Sequence, residues 1–147
     1  MIRKAEEKDV SRIAEILVFD KRVHYRSIFH NDDFSFNELQ VVSTAESYKD
    51  PTLLSHTRVY DDGIVKGMIH IEGKEIKELY VDWFFEHQGI GAQLIEYAKT
   101  ESDVKYLWCL AKNTAALQFY HAHGFMESGI RKYEEGTSEY LVCMERK

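Results

Sequence analysis

The first third of the chain places hydrophobic residues at helical spacing after a short strand-like segment. Met1 to Ala5 is predicted to form a strand, and a helix is predicted to follow it with Asp9 as its N-cap. The apolar positions of that helix are Val10, Ile13, Ile16 and Leu17. One or two further helices are predicted between Val18 and Tyr48, with a break at residues 30–32. Pro51, the only proline, is predicted to mark the transition into a sheet.

The middle of the chain has the pattern of strands and tight turns. Three runs rich in apolar and β-branched residues are separated by turns that contain Gly63 and Gly73. The runs are Thr57 to Tyr60, Ile64 to Ile71 and Lys77 to Val81. They predict an antiparallel meander of three strands.

Helical spacing returns after the meander. A helix is predicted from about Gly89 to Thr100, and a buried strand from Tyr106 to Ala111. Asn113 is predicted to cap one more helix, which runs to about His123 and stops at Gly124.

The chain is predicted to close with a hairpin. Its strands are Met126 to Tyr133 and Glu139 to Glu145, joined by a turn at residues 134–136. The order of elements predicts an α+β fold, with helices on the faces of a sheet that is mostly antiparallel. We expect residues 1–147 to form one domain.

Composition narrows the class of protein. The chain has 147 residues, of which 44% are hydrophobic and 13% aromatic, and this suffices for a single core. The formal net charge of −6 argues against nucleic acid or anionic membrane as a main partner. No apolar run approaches the roughly 20 residues of a membrane span, and the polar start is unlike a signal peptide. Cys109 and Cys143 lie in apolar runs, which favours buried thiols over a disulfide and predicts a cytoplasmic protein.

The segment Gln88 to Leu94 is the most informative stretch of the sequence. Two glycines, Gly89 and Gly91, stand between an apolar strand-like run and an amphipathic helix. A glycine turn at a helix start leaves several backbone N–H groups pointing the same way, at the positive end of the helix dipole. Such a turn binds phosphate without a basic side chain, although many strand-to-helix turns carry glycine only for its backbone freedom.

A second motif lies downstream, from Asn113 to Phe125. With the glycine turn before it and a strand between the two, the chain resembles the GNAT superfamily of acyl-CoA-dependent N-acyltransferases over nearly its whole length. The resemblance rests on Gly89-Ile90-Gly91-Ala92 and on Asn113, Ala116, Phe119, Tyr120, Gly124 and Phe125. It implies a GNAT-like mixed sheet whose central parallel strands, Lys77 to Val81 and Tyr106 to Ala111, splay apart.

The resemblance also implies a donor site for acetyl-CoA between the splayed strands. The glycine turn would wrap the pyrophosphate, and the backbone of the first strand would hydrogen-bond the pantetheine amides. The cofactor-binding residues implied are Tyr80, Val81, Gln88, Gly89, Ile90, Gly91, Ala92, Asn113 and Tyr120. Two positions depart from the family pattern, because Glu86 stands where Gln or Arg is usual and His87 where glycine is usual. A carboxylate near a pyrophosphate costs about 1 kcal/mol in an open site.

Two residues are candidates for the chemistry. Aminolysis of a thioester needs a neutral amine, and a free alkyl amine with a pKa near 10.4 is only about 0.1% neutral at pH 7.4. Glu78, on the strand before the glycine turn, is the candidate general base, and the alternative is an ordinary solvated or salt-bridged strand residue. Tyr120 matches the family tyrosine that protonates or hydrogen-bonds the departing thiolate, and the alternative is core packing beside Phe119.

Other polar and aromatic residues carry weaker signals. Arg22, His24, Tyr25 and Arg26 form a cluster that suits either an acceptor site or a solvated helix face. Trp83, Phe84 and Phe85 suit cofactor shielding, a partner surface or ordinary packing. His121 and His123 have no partner at metal spacing and His70 is isolated in the sequence, so no metal site is predicted.

The resemblance implies an N-acetyltransferase that moves an acetyl group from acetyl-CoA to a primary amine of a small molecule, peptide or protein. Neither cysteine is placed for an acyl-enzyme intermediate, which favours direct attack in a ternary complex. The alternative is a non-catalytic acyl-CoA-binding regulatory module on the same scaffold, and Glu86 favours it. Dimers are frequent in the superfamily, and no residue of this chain requires one. An oxidoreductase of the dinucleotide-binding type is excluded, since its fingerprint needs a third glycine and an earlier position.

Overall fold

The fold is a mixed sheet with helices on both faces. A computed structural model describes residues 1–29, 41–134 and 136–147, without the side chains of residues 23–29 and 41. The strands are β1 Ile2–Lys4, β2 Thr57–Asp61, β3 Val65–Glu72, β4 Glu75–Val81, β5 Tyr106–Leu110, β6 Met126–Tyr133 and β7 Tyr140–Glu145. The helices are α1 Val10–Phe29, α2 Val41–Tyr48, α3 Pro51–Ser55, α4 Ile90–Glu101 and α5 Thr114–Ala122.

The sheet has seven strands in the order β1-β2-β3-β4-β5-β7-β6. Every neighbouring pair is antiparallel except β4 and β5, which run parallel. The parallel ladder is short, because only Glu75 with Tyr106 and Ile76 with Leu107 are in register. The predicted α+β fold is confirmed, with its antiparallel meander and with central parallel strands that diverge.

The two faces of the sheet carry separate hydrophobic clusters. One contains α1 residues such as Ile13 and Leu17 with Met68 of β3. The other contains α4 residues such as Leu94 with Ile69 of β3. Because successive side chains of a strand point to opposite faces, Met68 packs in the first cluster and Ile69 in the second. The predicted helices on both faces are therefore present, and the sheet is held rigid between them.

Three local predictions for the N-terminal third were wrong in detail. Asp9 does not cap α1; it ends a 3₁₀ helix, Glu7–Asp9, that runs directly into α1, and its carboxylate accepts from the Glu6 amide and pairs with Arg3 at 2.8 Å. Pro51 does not lead into the sheet but occupies the first turn of α3, where its fixed φ suits a helix start. The first helix is also longer than its apolar pattern indicated and extends to Phe29.

The remaining boundaries differ by a few residues. β3 begins at Val65, one residue later than predicted. β4 begins at Glu75, two residues earlier than predicted, directly after the tight turn that contains Gly73. β5 ends at Leu110, and α4 runs one residue past the predicted end. One or two helices were predicted between Val18 and Tyr48, and α2 is one such helix, while the predicted break at residues 30–32 lies outside the described residues.

Candidate functional site

A cleft of about 720 Å³ opens where β4 and β5 part. Beyond the pair Ile76 and Leu107 the two strands no longer bond to each other, so their backbones become walls of a gap in the middle of the sheet. The cleft is also lined by α1, by the first turn of α4 and by α5. Such a volume lies in the range of small-molecule and cofactor sites.

The glycine turn forms one end of the cleft. Gly89 is the N-cap of α4 and has a φ of 83°, a left-handed conformation that glycine adopts without strain. The first bond of the helix runs from the Gln93 amide to the Gly89 carbonyl at 3.0 Å, so the amides of residues 90–92 precede the helical ladder. Glycine has no side chain with which to cap them. These donors, at the positive end of α4, fit an anionic phosphate group.

Gly91 lies close to both α5 and β4. A Cβ atom built on Gly91 would meet the Phe119 ring at 3.4 Å and a Val81 methyl group at 3.7 Å. The turn therefore touches both β4 and α5, the two other walls of the predicted cofactor site. Eight of the nine predicted cofactor-binding residues line the cleft, and the ninth, Gln88, is exposed and does not. The eight are Tyr80, Val81, Gly89, Ile90, Gly91, Ala92, Asn113 and Tyr120.

The two departures from the family pattern take on physical meaning in this turn. His87 has a φ of 64°, the left-handed region in which glycine carries no penalty and other residues lose roughly 1–2 kcal/mol. The histidine therefore occupies a position whose backbone suits glycine. Glu86 is half-buried and lines the cleft beside it, which puts a carboxylate in the neighbourhood of the amide donors.

Helix α5 presents Asn113 and Tyr120 to the cleft. The Asn113 side chain accepts from the Ala116 amide at 3.2 Å, which confirms that it caps the helix. Tyr120 is half-buried, and its ring packs edge-on against Phe119 at 5.3 Å and Phe125 at 6.1 Å. The aromatic packing holds the Tyr120 ring from two sides while the residue lines the cleft.

Glu78 lies on β4 and also lines the cleft. Its Oε1 accepts from Nζ of Lys21 at 3.2 Å, with both side chains mostly buried. Lys21 in turn lies 5.9 Å from the centroid of the Tyr80 ring. The salt-bridged alternative for Glu78 is thus present. Its role as a general base stays a prediction, and a base at this position would have to work beside the Lys21 ammonium group.

Asp20 is a cleft residue that the sequence analysis did not single out. It is 5% exposed, and its Oδ1 has no hydrogen-bond partner among the described residues. Burial raises the pKa of Asp20 to about 8, and the charges of Glu86 and Asp82 contribute in the same direction. The signal was available, because Asp20 follows Ile13, Ile16 and Leu17 at helical spacing and is an acid on the inward face of α1. Buried acids with raised pKa values cluster at functional sites.

Both cysteines are free and buried, as predicted. Cys109 also lines the cleft, which the sequence analysis did not foresee. Burial raises the pKa of its thiol to about 12. Since the thiolate is the nucleophile, Cys109 is unsuited to carry an acyl group at neutral pH.

The weaker candidates are scattered. Arg22 is half-buried, while the side chains of His24, Tyr25 and Arg26 lie outside the described residues. Trp83 and Phe84 are 50% and 74% exposed, and only Phe85 lines the cleft. The view of His70 as isolated is wrong, since strand pairing brings it near His56 and Glu72.

Comparisons with known proteins agree with this geometry. The family model described as "Acetyltransferase (GNAT) domain" matches residues 54–127, while no curated protein matches the chain. An N-acetyltransferase from Staphylococcus aureus Mu50 has a similar structure, with a TM-score of 0.74 at 19% identity and 98% of each chain covered. PaiA N-acetyltransferase from Thermoplasma acidophilum, in complex with coenzyme A, has a TM-score of 0.68 at 16% identity, covering 99% of this chain and 98% of that one. The putative acetyltransferase yncA from Salmonella typhimurium, with acetyl-CoA, has a TM-score of 0.67 at 20% identity, covering 100% and 92%.

The described helices include none that is both long and apolar enough to cross a membrane.

Proposed function

We propose a function from one premise, which is that the chain belongs to the family of GNAT acetyltransferases. The function is transfer of an acetyl group from acetyl-CoA to a primary amine, by direct attack of the amine on the thioester. One observation carries the proposal. The amides at the start of α4, the open edge of β4 and the Tyr120 side chain all face a single cleft.

The cleft fits the donor in both charge and shape. The amides of residues 90–92 suit a pyrophosphate, and the unpaired edge of β4 offers backbone groups to the two amides of a pantetheine arm, as a sheet edge does to a peptide. Two solved structures with this fold contain coenzyme A or acetyl-CoA. These features support the cofactor roles assigned to the glycine turn, to Tyr80 and Val81, and to Asn113.

The reaction needs the amine neutral and the leaving thiolate stabilised. As the amine nitrogen bonds to the carbonyl carbon, the carbon–sulfur bond breaks and the sulfur takes the electron pair. Tyr120 donates a hydrogen bond or a proton to that sulfur, and its packed ring fixes the direction. A phenol near pKa 10 transfers a proton to a thiolate near 8.5 only weakly, so the hydrogen bond is the larger contribution.

The proton leaving the amine passes to a carboxylate of the cleft wall, directly or through water. Glu78 is the first candidate, with Lys21 holding its Oε1. Asp20 is the second, because its pKa of about 8 matches a base that works near neutral pH. The high pKa of Cys109 supports direct attack over an acyl-enzyme.

The acidic wall also bears on the acceptor. Asp20 on α1, Glu78 on β4 and Glu86 in the segment after β4 line the cleft. Because the pKa of Asp20 is about 8, its carboxyl is mostly protonated at pH 7, and the carboxylates that attract a cationic amine are those of Glu78 and Glu86. This favours an acceptor that enters as an ammonium ion over one that carries a carboxylate close to its amine.

A non-catalytic acyl-CoA-binding module remains the second candidate, and Glu86 is the observation that favours it. A carboxylate at the phosphate end weakens donor binding and hence turnover. The two candidates differ in whether Tyr120 changes turnover without changing affinity.

Calorimetry with coenzyme A tests the donor site. Gly91→Glu should abolish binding, because it adds bulk against Phe119 and charge beside the amide donors. Unchanged affinity would contradict the position of the pyrophosphate. Gly63→Glu makes the same change in an exposed turn outside the cleft; its φ of 118° strains any side chain, so it controls for lost stability and should leave coenzyme A binding intact.

An acetyl-CoA turnover screen against polyamines, amino acids, aminoglycosides and peptide N-termini tests the activity. Tyr120→Phe should then lower turnover about 10²-fold with intact coenzyme A affinity, by analogy with the loss of one stabilising donor. A wild-type protein that binds coenzyme A but acetylates no amine in the screen would favour the regulatory module.

A further inference from the structure

A cluster of two histidines and a glutamate lies outside the cleft. His70, on β3, is 6% exposed and two residues from Glu72 on the same strand. His56 lies between the end of α3 and the start of β2, and β2 is the neighbour of β3 in the sheet. The nearest ligand atoms of the three side chains lie within 4.8 Å of one another, and no other such group occurs among the residues that the structure describes.

His70 has a buried nitrogen that nothing satisfies. Its Nδ1 lies 3.4 Å from the Tyr48 hydroxyl, while its Nε2 has no hydrogen-bond partner in the part of the chain that the structure describes. That Nε2 faces Oε2 of Glu72 at 3.6 Å, which is too long for a hydrogen bond. A buried polar atom without a partner ordinarily costs about 1–3 kcal/mol, so its presence calls for an explanation.

An ion pair with Glu72 does not explain the arrangement. At 3.6 Å, His70 Nε2 and Glu72 Oε2 are farther apart than the roughly 2.7–2.9 Å of a charge-assisted hydrogen bond. In the tautomer whose Nδ1–H donates to the Tyr48 hydroxyl, the Nε2 lone pair faces a carboxylate oxygen, so that two acceptors oppose each other. A bound cation is the group that satisfies both.

We propose that His56, His70 and Glu72 form a binding site for a divalent transition-metal ion of the zinc type. Zinc takes nitrogen ligands at about 2.0–2.1 Å and carboxylate oxygens at about 2.0–2.2 Å, which in tetrahedral geometry separates ligands by roughly 3.4 Å. The 3.6 Å between His70 Nε2 and Glu72 Oε2 is close to that value. His56 Nδ1, 3.9 Å from Glu72 Oε1, reaches it with a small movement of an exposed ring.

The surroundings match what a metal-bound histidine requires. In such sites the second ring nitrogen donates to a fixed oxygen that sets the tautomer, and the Tyr48 hydroxyl has that position for Nδ1 of His70. The ring of Tyr48 also packs edge-on to His70 at 6.0 Å. His56 and Glu72 are half exposed, which leaves the fourth position to water. The ion joins the end of α3 to β3, so the site has a stabilising role.

Zinc binding to the metal-free full chain, measured by calorimetry and by the shift in melting temperature, tests the proposal. We expect one Zn²⁺ per chain and a raised melting temperature that a chelator reverses. Glu72→Gln and His56→Ala, both at half-exposed positions that tolerate change, should each weaken binding at least about tenfold, and Tyr48→Phe about tenfold through the tautomer. His121→Ala removes an exposed histidine outside the cluster and should change nothing.

Wild-type protein that binds no zinc would overturn the proposal. So would equal zinc affinity in wild type, Glu72→Gln and His56→Ala, because the ion would then bind elsewhere, for example at His123 with Glu96. None of the ligands lines the cleft, so the outcome does not depend on the proposed enzymatic activity.

Discussion

Asp20→Asn should reveal an electrostatic cost that is built into the cleft wall. The pKa of Asp20 is about 8 in the folded protein, against an ordinary value of 3.8. The folded state therefore keeps a proton that the unfolded state releases, and stability falls as pH rises through that window. The slope is about 1.4 kcal/mol per pH unit, which accumulates to about 4 kcal/mol by pH 7 and levels off above pH 8.

The asparagine side chain of the Asp20→Asn variant cannot ionise, so this residue adds no pH dependence to the free energy of unfolding. Its amide introduces a buried N–H₂ group, which costs about 1–3 kcal/mol at every pH, so the sign of the difference at a single pH is not diagnostic. The pH dependence is. The stability of Asp20→Asn relative to wild type should rise by about 1.4 kcal/mol per unit and then become constant above about pH 8.

Urea denaturation at unit pH steps between about pH 5 and pH 9 measures the effect. Glu101→Gln makes the same charge change at an exposed position on α4 and should show no such slope. A constant difference between Asp20→Asn and wild type across the range would refute the reasoning, because it would mean that the carboxyl is ionised throughout. Loss of turnover in a stable Asp20→Asn protein would in addition favour Asp20 over Glu78 as the base.

Two further changes test the cleft. Glu78→Gln should lower the acetylation rate most near neutral pH, and the rate should recover in part at high pH, where the amine is already neutral. The pH–rate profile measures this effect. An equal loss of rate at every pH would mean that Glu78 has a structural role beside Lys21. His87→Gly should raise the free energy of unfolding by about 1 kcal/mol, because its φ of 64° favours glycine, and denaturation would contradict this if the variant were less stable than wild type.

Much of the architecture could be predicted from periodicity and turn chemistry. The glycines at 63 and 73 fixed the meander, and Asn113 with Gly124 bounded α5 because caps act through local backbone bonds. The prediction for the start of α1 was wrong because of a tertiary contact. Arg3, held at the edge of the sheet, draws the Asp9 carboxylate to itself at 2.8 Å, and a 3₁₀ turn replaces the expected cap.

The candidate site was only partly predictable. The glycine turn and Tyr120 carry motifs, so their residues could be found along the chain. Asp20 and Cys109 reach the cleft through the packing of α1 and the course of β5, and sequence spacing does not report the gap between strands. The cluster at His70 depends on strand pairing, which brings residue 56 close to residues 70 and 72.

The two-residue ladder between β4 and β5 has a mechanical consequence. Four strands on one side and three on the other share so few direct backbone bonds that most of their cohesion comes from the helices across the seam. A molecule bound between β4 and β5 would form hydrogen bonds with their unpaired backbone groups and so connect the two halves of the sheet. Binding of the proposed donor there should therefore stiffen the whole domain, and the protein should unfold most easily when that donor is scarce.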